Sequence, residues 1–201
     1  IADMPAADFF RTRIFEPLGM VDTDFYVPAS RTDRLAQIYK SAELYDPMPI
    51  PPNEVGLLRD VTTPTQSPSG GGGLVSTLAD YLAFCNCLVH QGAYDGGRLL
   101  GRKTWEWMTA NHMPAALMPI RMGDYAMDHG FGLGFSVTTT LGETRKLGSV
   151  GNFGWGGAAN TFFSIDPSED LILLMMTQYL PVAPYPVAER FQNLVYQAIN
   201  D

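Results

Sequence analysis

The stretch GNFGWGGAANTFFSIDPSEDLILLMMT, residues 151–177, constrains the fold most tightly. Thr161–Ile165 and Leu171–Thr177 are apolar runs of strand length, and Asp166-Pro167-Ser168-Glu169-Asp170 between them carries turn chemistry. Two such runs joined by such a turn predict an antiparallel hairpin. Just upstream, Trp155 stands among Gly151, Gly154, Gly156 and Gly157. Glycine in a strand marks a place where backbone comes close to something else, so the run poses the question of what is approached.

The rest of the chain sets helices ahead of this hairpin and one after it. Phe10 and Ile14 share a face of a predicted helix over Pro5–Phe15, which Pro17 should stop before a turn at Pro17-Leu18-Gly19-Met20. Residues 41–73 are rich in proline and glycine yet keep Val55, Leu57 and Leu58, which reads as ordered but irregular. Thr77 then caps a helix with Asp80 at its third position, a start resembling a capping box. Leu78, Leu82, Cys85, Leu88 and Val89 form the predicted apolar stripe of that helix, and Gly92 ends it. A turn at Asp95-Gly96-Gly97 leads to a helix over Lys103–Thr109, bearing Trp105 and Met108. Strands are expected at Gly132–Thr139 and Thr144–Leu147, around a turn near Gly142. A last helix, Val187–Ile199, places Phe191, Leu194 and Ala198 on one side. The fold class is therefore α+β, an antiparallel sheet flanked by helices.

Bulk properties exclude several functions. A length of 201 residues suits one large domain, and 46% hydrophobic with 17% charged residues describes a core-forming chain. The formal net charge of −8 argues against nucleic acid and against anionic membrane surfaces as partners. No apolar run reaches the roughly 18 residues of a spanning helix. Cys85 and Cys87, two apart on a helix, point different ways and should not bond to each other; reduced thiols point to a cytoplasmic setting. His90, His112 and His129 lack metal-ligand spacing, so no metal is expected. Ile1 is not a natural start, which points to sequence upstream.

No complete catalytic motif stands in the chain. Gly148-Ser149-Val150-Gly151 misses a nucleophile elbow by one residue, and Gly70–Gly73 lacks the Gly-Lys-Ser/Thr of a phosphate loop. Gly151–Gly157 does not sit in a dinucleotide-binding βαβ unit. Asp124 and Asp128, an acidic pair, read as part of a solvated loop rather than a glycosidase dyad.

Three separated stretches nevertheless carry a resemblance together. Arg13-Ile14-Phe15-Glu16-Pro17-Leu18-Gly19-Met20-Val21-Asp22-Thr23 resembles a segment of serine β-lactamase-like hydrolases. Ser69-Gly70-Gly71-Gly72-Gly73-Leu74-Val75-Ser76-Thr77, with Asp80, is similar to the glycine-rich approach to a later helix of that family. Gly151–Gly157, followed by Phe162-Phe163 and Asp166-Pro167, resembles its third active-site motif and the hairpin behind it. The family works with Ser-x-x-Lys on a helix and a tyrosine motif on a loop, both upstream of the first stretch. Neither occurs here: Gln37, Leu100 and Glu143 stand three residues before Lys40, Lys103 and Lys146. The resemblance implies the C-terminal portion, residues 1–201, of a single β-lactamase-like, transpeptidase-like domain. Its N-terminal part would come from a companion chain or an exchanged element, and the chain alone would be inactive.

The third motif, usually Lys-Thr-Gly, admits two registers. Counting back from the Asp166-Pro167 turn places Asn152-Phe153-Gly154 on it, with Trp155 next; matching by composition places Trp155-Gly156-Gly157 on it, with Ala158 next. The first is preferred, because a hairpin leaves little slack for shifting a strand. The residue after the motif resembles an oxyanion-hole donor through its backbone N–H, so the resemblance gives that role to Trp155, or to Ala158 in the other register. Asn152, Trp155, Gly154, Gly156 and Gly157 then line the substrate. Without the motif's lysine no charge awaits a substrate carboxylate, and Trp155-Gly156-Gly157 resembles the Trp-x-Gly of family VIII carboxylesterases. The implied activity is hydrolysis of neutral carboxylic esters through an acyl-enzyme, with no cofactor. β-Lactamase or D-Ala-D-Ala peptidase activity on an amide, and a catalytically silent ligand-binding homologue, are the alternatives.

Overall fold

The structure, a computed structural model, describes residues 2–41, 47–50, 60–65, 67–122, 125–127, 129–142, 146–180 and 186–200. The expectations for Val55, Leu57, Leu58, Asp124 and Asp128 lie outside these residues, as do 144–145 of the strand expected at Thr144–Leu147. In chain order the helices are α1 (Ala6–Phe10), α2 (Glu16–Leu18), α3 (Leu78–Val89), α4 (Arg102–Thr109) and α5 (Val187–Tyr196). The strands are β1 (Tyr39–Ser41), β2 (Pro47–Pro49), β3 (Ala93–Tyr94), β4 (Gly97–Arg98), β5 (Ile120–Met122), β6 (Tyr125–Met127), β7 (Gly130–Phe131), β8 (Ser136–Val137), β9 (Phe153–Gly156), β10 (Thr161–Asp166), β11 (Leu171–Met176) and β12 (Tyr179–Leu180). The architecture is α+β, and the chain divides into two compact units.

The first unit holds residues 1–84, 158–161 and 176–184. Its first helix does not stop before Pro17. A π-helical turn over Arg11–Phe15 joins α1 to α2, with Pro17 inside the first turn of α2. The proline has no N–H to give, and the widened turn ahead of it relieves its need for a regular partner. Gly19 at φ +69° closes the helix, where Met20 donates its N–H to the Phe15 carbonyl at 2.8 Å. A small sheet of order β12-β1-β2, with β1 parallel to β12, is also present; the sequence patterning did not foresee it.

One buried carboxylate ties this unit together. Thr77 caps α3 as expected, its Oγ1 accepting the Asp80 N–H at 3.2 Å. Asp80 does not complete the capping box. At 6% exposure, its Oδ2 accepts the Asp22 N–H at 2.7 Å and the Thr23 hydroxyl at 2.8 Å. Thr23 Oγ1 and Ser76 Oγ lie 2.7 Å apart, and Asp24 and Val75 exchange both backbone hydrogen bonds. Asp22 in turn grips Arg34 with both carboxylate oxygens and Arg31 with one. Those hydrogen bonds and charges hold its carboxyl below the usual range.

The apolar stripe of α3 also differs from expectation. Leu78 and Leu82 are exposed, whereas Cys85, Cys87 and Leu88 are buried and Tyr81 and Phe84 half-buried. Two apolar rows run down this helix, and hydrophobicity alone does not choose between them. Both cysteines are free.

The second unit holds residues 85–157, 162–175 and 185–201. Its five-stranded sheet has the order β11-β10-β9-β8-β7, antiparallel in each pairing of known register, as the sequence led one to expect of the strands after residue 130. The strand expected over Gly132–Thr139 is instead a hairpin of β7 and β8. The Gly132 N–H bonds the Phe135 carbonyl, and Gly134 at φ +97° takes a conformation that side chains resist. Cross-strand partners share a face, so Phe153, Val137, Phe163 and Ile165 project together. All four are buried, and Phe135 and Trp105 pack edge-on against Phe153 at 5.2 and 5.9 Å. Truncating Asp80 to alanine leaves the Asp22 N–H and Thr23 hydroxyl without their buried acceptor. We expect a stability loss of about 2–4 kcal/mol in urea unfolding.

Candidate active site

The candidate site is the chain run from Asn152 to Ala158, which enters β9, follows it to Gly156 and leaves it toward a turn. Trp155 faces Phe163 across β10, and Gly154 faces Ser164. On the other side Ser136 faces Gly154, and Thr138 donates its N–H to the Asn152 carbonyl at 2.8 Å. Backbone polar groups alternate sides along a strand. The Asn152 carbonyl and the polar groups of Gly154 are therefore directed at β8, and those of Phe153 and Trp155 at β10, while the Asn152 N–H donates to the Ser149 carbonyl at 3.1 Å.

That alternation bears on the two registers. The Trp155 N–H is directed at Phe163, inside the β9–β10 ladder. Ala158 lies beyond the end of β9, exposed, in the turn that follows. In either register the Trp155 N–H is committed to the pairing with Phe163. Residue counting fixed the turn but carried no information on which way each N–H points.

The glycines have different tasks. A Cβ on Gly154 would lie 2.1 Å from the Phe163 carbonyl oxygen and 2.9 Å from the Ser164 Cα. What Gly154 approaches is the neighbouring strand, and it is buried. Gly156 is exposed and Gly157 half-buried. The Trp155 ring lies on the same face as Phe153 but at its rim, 37% exposed, with the Phe131 ring edge-on at 5.2 Å.

Asn152 does not offer its side chain to open surface. It is buried: its Oδ1 accepts the Ser164 hydroxyl at 3.0 Å and its Nδ2 donates to the Tyr196 oxygen at 3.0 Å. Tyr196 donates to Asp166 Oδ2 at 2.6 Å, and Asp166 Oδ1 accepts the Ser168 N–H at 3.0 Å. Burial first, and then the hydrogen bond to that carboxylate, push the Tyr196 phenol well above the ordinary tyrosine range. This polar layer also corrects the reading of α5. Gln192 and Tyr196 point inward, and Leu194 and Ala198 are exposed, because Gln192, Asn193 and Tyr196 all hydrogen-bond the sheet and the loop before it.

After Ala158 the run turns at Ala159-Asn160, where Asn160 takes φ +62°. Thr177 Oγ1 donates to the Asn160 carbonyl at 2.6 Å, Tyr179 N–H donates to the Ala159 carbonyl at 3.0 Å, and Asn160 Nδ2 donates to the Tyr179 carbonyl at 2.8 Å. An asparagine after two glycines and two alanines was the available signal for this left-handed position. Nothing local pointed to its partners. Among the described residues, no helix is long and apolar enough to cross a membrane.

Comparisons with known proteins give the family and the fold. The β-lactamase family model matches residues 1–197, and the chain belongs to that family. Protein Rv1367c of Mycobacterium tuberculosis (strain ATCC 25618 / H37Rv) is 34% identical over 189 residues, covering 90% of this chain and 45% of its own. The structure of EstCE1, described as a hydrolase with promiscuous acyltransferase activity, superposes with a TM-score of 0.79 at 22% identity over 97% of this chain and 51% of its own. A LovD6 mutant of simvastatin synthase from Aspergillus terreus gives a TM-score of 0.76 at 22% identity, over 98% and 50%. The chain spans about half the length of these relatives.

Gly154 offers a direct test of the strand contact. Gly154→Ala forces a methyl group against the β10 backbone, and we expect it to lower unfolding stability by about 2–4 kcal/mol. Urea titration followed by circular dichroism measures the loss.

Proposed function

We propose that this chain forms the C-terminal part of a serine hydrolase that acts on neutral carboxylic esters through an acyl-enzyme. The serine, its lysine and the tyrosine come from a companion segment, and no Ser-x-x-Lys or Tyr-x-Asn stands within residues 1–201. The observation that carries the substrate class is Trp155. In the Trp155-Gly156-Gly157 register, which leaves the Trp155 N–H to the β10 pairing, this uncharged, partly exposed ring takes the place of the lysine that elsewhere in the family meets a substrate carboxylate. A ring offers apolar contact and no charge, which suits a neutral ester and disfavours an anionic β-lactam or peptide terminus.

The roles follow from that placement. The serine attacks the ester carbonyl, and its proton passes by way of lysine and tyrosine to the alcohol oxygen, which departs as the ester C–O bond breaks. The developing oxyanion takes one hydrogen bond from the serine N–H and one from Ala158 N–H. What supports Ala158 is that the Trp155 N–H is directed into the β9–β10 pairing, together with the pinned turn at Ala159-Asn160. Trp155 walls the acyl or alcohol pocket, and Gly156-Gly157 keep that wall low beside the reacting carbon. Water then releases the acyl group.

Kinetics on p-nitrophenyl butyrate by the complete protein test these roles. Ala158→Pro removes the N–H and should lower kcat by about 10²–10³, whereas Trp155→Ala keeps every backbone donor and should act on KM and on chain-length preference. An Ala158→Pro variant that folds and keeps full turnover sinks the donor assignment. Faster hydrolysis of a chromogenic cephalosporin than of the ester sinks the substrate class.

A second measurement concerns completeness. The isolated chain of residues 1–201 should hydrolyse no ester, and adding the companion segment should restore turnover. Ester hydrolysis by the purified chain alone would overturn the proposal, since it demands a nucleophile among these residues.

A further inference from the structure

We infer that Tyr196 and Asp166 are positioning residues: acting through Asn152, they fix where the chain enters β9 and so where the Trp155–Ala158 run stands. The inference rests on the proposed hydrolase only for its kinetic consequence; the positioning itself stands on the hydrogen bonds of the second unit.

The loop leading into β9 has reason to be loose. Residues 147–152 contain Gly148 and Gly151, the latter at φ +91°, and lie outside any helix or strand. Backbone bonds to Thr138 hold its end, from the Gly151 N–H at 2.9 Å and to the Asn152 carbonyl at 2.8 Å, and leave the stretch before them in need of other support. Helix α5 supplies the support at two points. Gln192 donates to the Leu147 carbonyl at 2.7 Å while Asn193 accepts the Leu147 N–H at 2.7 Å. One turn further on, Tyr196 receives the Asn152 amide.

The second attachment is the decisive one, because it adjoins β9 directly and is anchored on a charge. Ser164 donates to Asn152, Asn152 to Tyr196 and Tyr196 to Asp166, so every donor in the series points toward one carboxylate. A series with a single direction polarises each bond in turn, and its last bond is charge-assisted. Asp166 is 1% exposed, and it ends the strand that pairs with β9. A shift of β9 by one residue would carry Asn152 to the opposite face and break its bonds to Ser164 and Tyr196. The network thus adds to the Gly154 contact in holding the register in which Trp155 reaches the rim. Tyr196 touches no reacting atom in this scheme; it acts at a distance through Asn152.

The test compares Tyr196→Phe, which keeps the ring and deletes the hydroxyl, with Leu173→Ala, a core truncation on β11 that leaves the network intact. Ser164→Ala, which removes the other support of Asn152, gives an independent variant should Tyr196→Phe fail to fold. All are made in the complete protein. Amide hydrogen exchange over residues 151–156 should accelerate about tenfold in Tyr196→Phe and several-fold in Ser164→Ala. In Leu173→Ala the increase should fall on β11 instead. In ester hydrolysis, Tyr196→Phe should lower kcat about tenfold at near-constant KM, whereas Leu173→Ala should keep kcat despite its lower melting temperature. Unchanged exchange over 151–156 in both network variants overturns the inference, as does equal loss of kcat in Tyr196→Phe and Leu173→Ala. A complete protein without any ester hydrolysis refutes the hydrolase reading alone, and the exchange measurement then decides the positioning.

Discussion

The contact between Gly154 and the Phe163–Ser164 backbone governs much of what the second unit can do. Any side chain at 154 would occupy the space of β10 itself, so the two strands are matched at this one point. Fixing Gly154 opposite Ser164 fixes Trp155 opposite Phe163 and Phe153 opposite Ile165. It also sorts the sheet into an aromatic face and a polar one. Phe153, Phe163 and Ile165 enter the core on one side, while Ser164, Asn152 and Asp166 meet α5 on the other. The candidate site inherits its geometry from this sorting, since Trp155 is the residue of the aromatic face that falls at its rim.

A comparable economy operates in the first unit. The stretches around Asp22-Thr23 and Ser76–Asp80 are two of the three that carry the family resemblance, and the structure joins them by hydrogen bonds. Asp80 serves this junction in preference to its own helix terminus because the Thr23 hydroxyl is buried with it and the Asp22 N–H is part-buried, and a buried donor without an acceptor is costly. The helix keeps one cap bond, from Thr77, and gives up the second.

How far the sequence revealed this depended on the range of the interaction. The β10–β11 hairpin, the Thr77 cap and the Gly97 turn were legible because their signals lie within a few residues of their effects. The side of α3 that is buried was not, since Leu78 and Cys85 are both apolar and the choice depends on distant partners. Helix α5 shows the same limit more sharply: it turns Gln192 and Tyr196 inward and leaves Leu194 in solvent, a pattern that hydrophobicity predicts backwards. At the candidate site, a close backbone approach was visible in the glycines around Trp155, and Gly154 makes one against β10. The inward role of Asn152 was not, because its partners at 164 and 196 are far away in sequence and polar like itself.

The Asp80 junction also has a temporal consequence. Thr23 and Asp80 are 57 positions apart, so closing their bond restricts a long stretch of chain before any local contact compensates. The β10–β11 turn, by contrast, spans a handful of residues and can order early. Folding of this chain should therefore nucleate in the hairpin beside the candidate site, with the two stretches that most resemble the family locking together last.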